Sequence, residues 1–311
     1  MRLVSVLTPP SNENLILAAQ CGVQGITIRY KDSDINSMRT LKGRIESCGM
    51  SVEVVEGYLP IEHIKLGNEG YERDLGEFKQ LLHNMAELGL ERICYNFMSG
   101  GDWARTTTVI RERGRALVTR FNIADLEATV FGDLAPTSEE QLWGNLERFL
   151  NDILPVTEDA GVILCMHPDD PPLPKILNQH RIMNCVENFE RLVTMCPSLS
   201  NKITFCQGTF AEMGVDIPAT IRRLGNHIEF VHFRDVTGEP QCFHVTFHDN
   251  GPTDMVAAMQ AYKEIDFSGP LRPDHVPQYF GEEDGPAGYT MLGRLFAFGY
   301  VRGLMQSAGF E

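Results

Sequence analysis

Basic residues are scarce in this chain: 27 Lys and Arg stand against 42 Asp and Glu, a formal net charge of −15 over 311 residues. Nucleic-acid backbones are held by clustered Lys and Arg that displace counterions, so a nucleic-acid partner is not expected. A small anionic substrate stays open, because a metal and a few arginines override the global field inside a cleft. No apolar run approaches the roughly 18 residues that a bilayer requires, which argues against a membrane partner. The eight cysteines, Cys21, Cys48, Cys94, Cys165, Cys185, Cys196, Cys206 and Cys242, contain no CxxC pair. With no secretory leader read ahead of them, reduced thiols in a cytoplasm are the expectation. No GxGxxG follows the first apolar run, so the usual dinucleotide fingerprint is missing. Solenoid-period repeats, low-complexity tracts and a linker that would cut a second domain are absent too.

What is present is alternation. Short runs rich in β-branched and aromatic residues, at about 2–7, 25–30, 51–56, 92–97, 162–167, 202–206, 228–232 and from Gly269, read as strands. Between them lie helical patterns near 15–21, 35–47, 74–88, 138–159, 181–195, 217–224, 254–265 and 289–307, with residues 61–71 irregular. Eight strands alternating with about eight helices over some 250 residues or more predict an α/β protein, a (β/α)8 TIM barrel forming a single domain over residues 1–311. An open doubly wound sheet is the alternative. After the fourth strand comes a rim excursion at about 99–137, some thirty residues of it without clear period, expected to be a lid or an oligomer contact.

Four consecutive strands end on soft or borderline metal ligands: His167, Cys206, His232 and Asp274. Side chains at the carboxyl ends of parallel strands converge on one face, so these four are expected around one divalent cation. Each alone reads more readily as a core residue; the set is the argument. Two imidazoles, a thiolate and a carboxylate suit Mn, Fe(II), Co or Zn and make a poor cage for Ca or Mg.

His275 follows Asp274 directly, and neighbours on an extended strand point to opposite sides. Both face the cleft only if the strand has broken into a loop, which Pro273 and Pro277 favour. His275 then reads as a general acid or base beside the metal, or as an exposed loop histidine. Tyr289, placed at the start of the last helix, reads as a rim residue or as a packed aromatic. Arg234 and Arg272 are candidates to grip a substrate carboxylate or, equally, to hold Asp235 or Asp169. His244 and His248 lie on a segment after the seventh strand that reaches toward the mouth.

The stretches Cys94–Met98 with Asp102–Thr106, Met166–Pro172, Val231–Arg234, Thr253–Met255, Gly269–His275 and Gly288–Tyr289 resemble mannonate dehydratase, from about Gly70 to the C-terminus. The resemblance implies a TIM barrel related to sugar isomerases that binds Mn2+ or Fe2+; the donor set alone leaves Zn2+ or Co2+ as alternatives. It puts His167, Cys206, His232 and Asp274 on the metal ligands and His275 and Tyr289 on the catalytic pair. Asn96, Arg234, Arg272 and His248 are the substrate-binding candidates. The chain departs from the family near its start: a tryptophan expected after Arg2 and paired histidines expected after the second strand are missing, and Ile28–Asp32 stands in their place. Ser99-Gly-Gly replaces an expected Pro-Val-Leu, and Val245 an expected acid.

The implied reaction is loss of water from a sugar acid, D-mannonate giving 2-keto-3-deoxy-D-gluconate, with His275 and Tyr289 sharing the base and acid roles. The alternatives are a metal-dependent isomerase or epimerase of a related sugar or uronate, and a sugar-acid-binding paralogue without turnover. A homo-oligomer, dimer or tetramer, is expected, because barrels with long rim excursions pair through them.

Overall fold

The computed structural model of the chain describes residues 1–101, 103–127 and 134–310. Asp102, which one of the resembling stretches includes, and residues 128–133 of the rim excursion lie outside the described residues.

Eight parallel strands close into a barrel: β1 Arg2–Val6, β2 Gly25–Arg29, β3 Ser51–Glu56, β4 Arg92–Tyr95, β5 Ile163–Met166, β6 Asn201–Cys206, β7 Ile228–Phe233 and β8 Pro270–Pro273. Each pairs with its neighbours in sequence, and β8 returns to β1, so the order is that of a (β/α)8 barrel. Successive side chains of a strand alternate between the barrel interior and the helical layer. The interior cluster is correspondingly small, Val4, Val54, Cys94, Cys165 and Phe230. The opposite faces join the helices in one large core that includes Phe78, Phe149, Phe205 and Phe298. Local signals set the helix ends. Ser138 caps Glu139–Ala160 with a reciprocal capping box to Gln141, and Gly161 ends that helix at φ 65°, a conformation glycine adopts without steric cost.

Four expectations about local structure need correction. The unpatterned part of the excursion contains two strands, Thr107–Arg111 and Leu117–Asn122, which join Val236–Glu239 and Cys242–Val245 in an antiparallel rim sheet. Thr107–Arg111 is mostly exposed and so has no apolar alternation to read. Residues 61–71 carry a short helix, Glu62–Leu66, and Tyr71 opens the next one. The helix expected from Arg181 begins at Val186, and the segment before it is tied to the site loop by the Met183 backbone N–H, which donates to the Asp169 carboxylate at 2.7 Å. Tyr289 precedes the last helix, Met291–Ser307, rather than starting it. No helix among the described residues is long and apolar enough to cross a membrane.

Candidate active site

Strand register assembles the site. Cys206 on β6 pairs with His232 on β7, and His232 with Arg272 on β8, so the three share one level and one face. His167 follows the last residue of β5, its backbone N–H donating to Tyr95 O at 2.7 Å. Phe230, two residues before His232, lies beneath it edge-on with ring centroids 4.6 Å apart. Ligand atoms of His167, Cys206 and His232 all lie within 4.8 Å of one another.

This donor set fits a divalent cation. The Nδ1 of His167 is 2.7 Å from the Pro168 carbonyl, which can only accept, so Nδ1 carries a proton. Burial opposes charge on this ring, but Nε2 faces Cys206, whose charge raises the ring's pKa on balance; a metal binding there would displace the proton the two share. His232 Nε2 is buried with no hydrogen-bond partner. Burial opposes ionising the Cys206 thiol, but the charges of Arg234 and His167 outweigh it and hold the group below its ordinary range. A thiol so held is ready to serve as thiolate ligand. Burial, then Arg272, pushes His232 well down, keeping the ring neutral as a ligand must be.

Asp274 stands beside this trio rather than within it. One oxygen, Oδ2, is 4.0 Å from His232 Nδ1 and accepts from Arg234 Nε at 3.1 Å; the other accepts from Arg272 Nη2 at 2.8 Å. A second group, Glu56, Cys94 and His232, is also tight enough for an ion. It is the poorer candidate, because Glu56 is already bonded by Arg272 and burial pushes the Cys94 thiol far up.

Behind Asp274 runs a wholly buried charge network. Arg234 bonds Asp274, Asp170 Oδ2 at 3.0 Å, Glu212 Oε1 at 3.3 Å and Thr209 Oγ1 at 3.1 Å. Arg105, from the rim excursion, takes both oxygens of Asp170, at 2.7 and 2.9 Å. Burial works against the Asp170 carboxylate, yet Arg105 and Arg234 pull it down to about 2, whereas burial and then the Asp170 charge push Glu212 well up, toward its neutral form. Gly208 makes room for this: a Cβ there would come within 2.6–2.8 Å of the Arg234 side chain.

Asp274 and His275 lie just past the end of β8, and both face the site. His275 Nε2 is 3.0 Å from Tyr289 Oη and 3.8 Å from Asp274 Oδ2, while Trp103 packs edge-on to the imidazole at 5.3 Å. Burial pushes His275 down to about 3 against the pull of Asp274, and burial raises Tyr289. Near pH 7 the imidazole is therefore neutral and the phenol protonated. An inner cavity of about 130 Å³ is lined by His167, His232, Asp274, His275 and Tyr289, and an outer one of about 910 Å³ adjoins it at Arg29, Gly57, Trp103 and Tyr289.

Among the substrate-binding candidates, Asn96 and Arg272 line the inner cavity, Asn96 Oδ1 accepting from Met98 N at 3.1 Å. Arg234 and His248 do not. Arg234 is spent on carboxylates, and His248 Nε2 donates to Phe233 O at 2.9 Å while burial lowers its pKa to about 4. His244 reaches Glu112 at 3.1 Å. Sequence reasoning missed Arg29, Glu56, Asp170, Arg105 and Glu212. Glu56 and Arg29 end strands as the ligands do, and that was the available signal; the others meet only through tertiary structure.

A family model described as D-mannonate dehydratase (UxuA) matches residues 11–134 and 122–309. Mannonate dehydratase 2 of Halalkalibacterium halodurans is 33% identical over 297 residues, 86% of this chain and 85% of that one. The mannonate dehydratase of Oceanobacillus iheyensis is 32% identical over 298 residues, 87% and 85% of the two chains. The crystal structure of mannonate dehydratase from Streptococcus suis serotype 2 superposes with a TM-score of 0.90 at 30% identity, covering 99% of this chain and 95% of that one. An L-ribulose 3-epimerase structure, at 14% identity and a TM-score of 0.68, covers 99% of this chain and 95% of its own, and shares the fold. A barrel whose strand ends gather His167, Cys206 and His232 beside a His275–Tyr289 pair, and whose sequence matches these relatives over most of its length, belongs to the D-mannonate dehydratase (UxuA) family.

Proposed function

We propose that this protein is a hydro-lyase that dehydrates D-mannonate to 2-keto-3-deoxy-D-gluconate, using Mn2+ or Fe2+ held by His167, Cys206 and His232 with Asp274. The observation that carries the reading is the metal-ligand trio within reach of a hydrogen-bonded His275–Tyr289 pair on one cavity wall, in a chain of this family. When bound, the cation supplies positive charge where negative charge develops on the substrate's carboxylate as the neighbouring C–H bond ionises.

The remaining chemistry belongs to side chains. The neutral His275 imidazole takes the proton from C2, next to the carboxylate. The protonated Tyr289 phenol gives its proton to the C3 hydroxyl, which leaves as water, since hydroxide alone is a poor leaving group. The two groups have pKa values pushed apart by burial, the arrangement that divides base from acid. A proton passing from His275 to Tyr289 across their 3.0 Å contact resets both. The enol that remains ketonises to the 2-keto acid. Trp103 and the cavity walls limit water around the pair.

Purified chain supplied with Mn2+ or Fe2+ and D-mannonate is expected to form a 2-keto-3-deoxy acid with loss of one water. An isomeric sugar acid of unchanged mass would contradict the reading, as would undiminished turnover after stringent chelation. We further read the protein as a cytoplasmic homo-oligomer, consistent with eight free cysteines; light scattering tests the assembly.

A further inference from the structure

The arginines around the inner cavity differ in what they hold. Arg105 gives two nitrogens to Asp170, Arg234 is divided among Asp170, Glu212 and Asp274, and Arg272 joins Glu56 and Asp274. Arg29 is in none of the ion pairs among the described residues. It ends β2, is half-buried, and lines both the inner cavity and the outer one, at the neck where they meet. Its guanidinium carbon lies 4.8 Å from the centre of the Tyr289 ring, the Tyr289 phenol and the Glu56 charge both act on it, and its Nε is buried without a hydrogen-bond partner. Each acid lining the two cavities already has another cation: Glu56 and Asp274 bond Arg272, Asp170 bonds Arg105 and Arg234, and Glu62 bonds Lys65. Arg294 also lacks an ion pair among the described residues, but it is fully buried and lines neither cavity, so a ligand does not reach it.

A guanidinium presents five N–H donors in a planar fork that matches the two oxygens of a carboxylate. Holding such a group partly out of water with unspent donors costs free energy that an anionic ligand recovers. A chain carrying −15 repels anions from a distance, so a local cation at the neck is what lets a sugar acid enter. We propose that Arg29 binds the substrate's carboxylate and makes the site select sugar acids over neutral sugars of the same length. The proposal rests on the sugar-acid reading above and assigns its specificity to a residue outside the metal and proton-transfer groups.

The test is titration calorimetry of the Mn2+-loaded protein with D-mannonate and with its neutral counterpart D-mannitol, in wild type, Arg29→Gln and Arg29→Lys. Loss of a charged hydrogen-bond pair is expected to weaken mannonate binding by about 10- to 100-fold in Arg29→Gln, with mannitol binding unchanged and Arg29→Lys intermediate. In turnover, KM rises by the same factor, and metal content stays at the wild-type level. Mannonate binding in Arg29→Gln equal to wild type overturns the proposal. If wild type binds mannonate through Arg29 yet forms no keto acid, the dehydratase reading fails and this one stands. If wild type forms the keto acid and Arg29→Gln does so with unchanged KM, only this one fails. If wild type binds no sugar acid, both fall.

Discussion

Replacing Arg234 with methionine tests whether the buried charge network holds the site together. The guanidinium is fully buried and bonds Asp274, Asp170, Glu212 and Thr209. Removing one partner of a buried ion pair costs about 3–5 kcal/mol, because it leaves a charge uncompensated. Here the lower end applies. Asp170 keeps Arg105, Asp274 keeps Arg272, and Glu212 is pushed toward its neutral form. Unfolding entropy near 2.1 cal/mol/K per residue gives about 0.65 kcal/mol/K for 311 residues, so a loss of about 3 kcal/mol lowers Tm by about 5 °C. Asp274 also loses the bond that holds Oδ2 next to His232, so Mn2+ affinity falls with stability. Glu212→Gln is the control: an amide replaces a carboxyl of the same shape that is already pushed toward its neutral form, and Tm moves by less than about 1.5 °C. Calorimetry of the metal-free proteins reads both. Arg234→Met melting within 1 °C of wild type, or Glu212→Gln melting as low as Arg234→Met, would refute the reasoning.

Other outcomes follow from the same geometry. Mn2+ at about 100 times its Kd stabilises the native state by about 2.7 kcal/mol, which raises Tm by about 4 °C; a His167→Ala, His232→Ala double variant is expected to lose that shift. His275→Gln and Tyr289→Phe each lower kcat by about 100- to 10,000-fold with metal content unchanged, measured by keto-acid formation and elemental analysis. Metal loss in either variant would instead mark the pair as structural. Ser138→Ala removes one half of the capping box at the start of Glu139–Ala160, costs about 1 kcal/mol, and lowers Tm by about 1.5 °C without affecting turnover.

The barrel was legible because its strands are compact apolar runs and its helices start and stop on recognisable caps. His167, Cys206 and His232 could be read because each comes at the end of such a run, where parallel strands deliver side chains to one rim. Asp274 with His275 was readable from the flanking prolines, which end β8 at Pro273. The network was not. Arg234 and Asp170 are 64 residues apart, and Arg105 and Asp170 65, so nothing local marks them as partners. Arg234 looked like a substrate clamp because a sequence gives an arginine's charge and not the acids that fold around it. Arg29 was noticed only as part of Ile28–Asp32, a departure from the family, although it ends a strand as the ligands do. The rim sheet escaped because Thr107–Arg111, largely in solvent, needs no apolar alternation to pair.

Cobalt substitution tests the metal site most directly. Co2+ added to the metal-free protein is expected to bind one ion per chain and to give a thiolate-to-cobalt charge-transfer band in the near ultraviolet, since Cys206 supplies the sulfur. Cys206→Ser should abolish that band, while Cys94→Ser, from the competing group, leaves it intact. A band that survives Cys206→Ser, or stoichiometric cobalt binding without a thiolate band, would contradict the account.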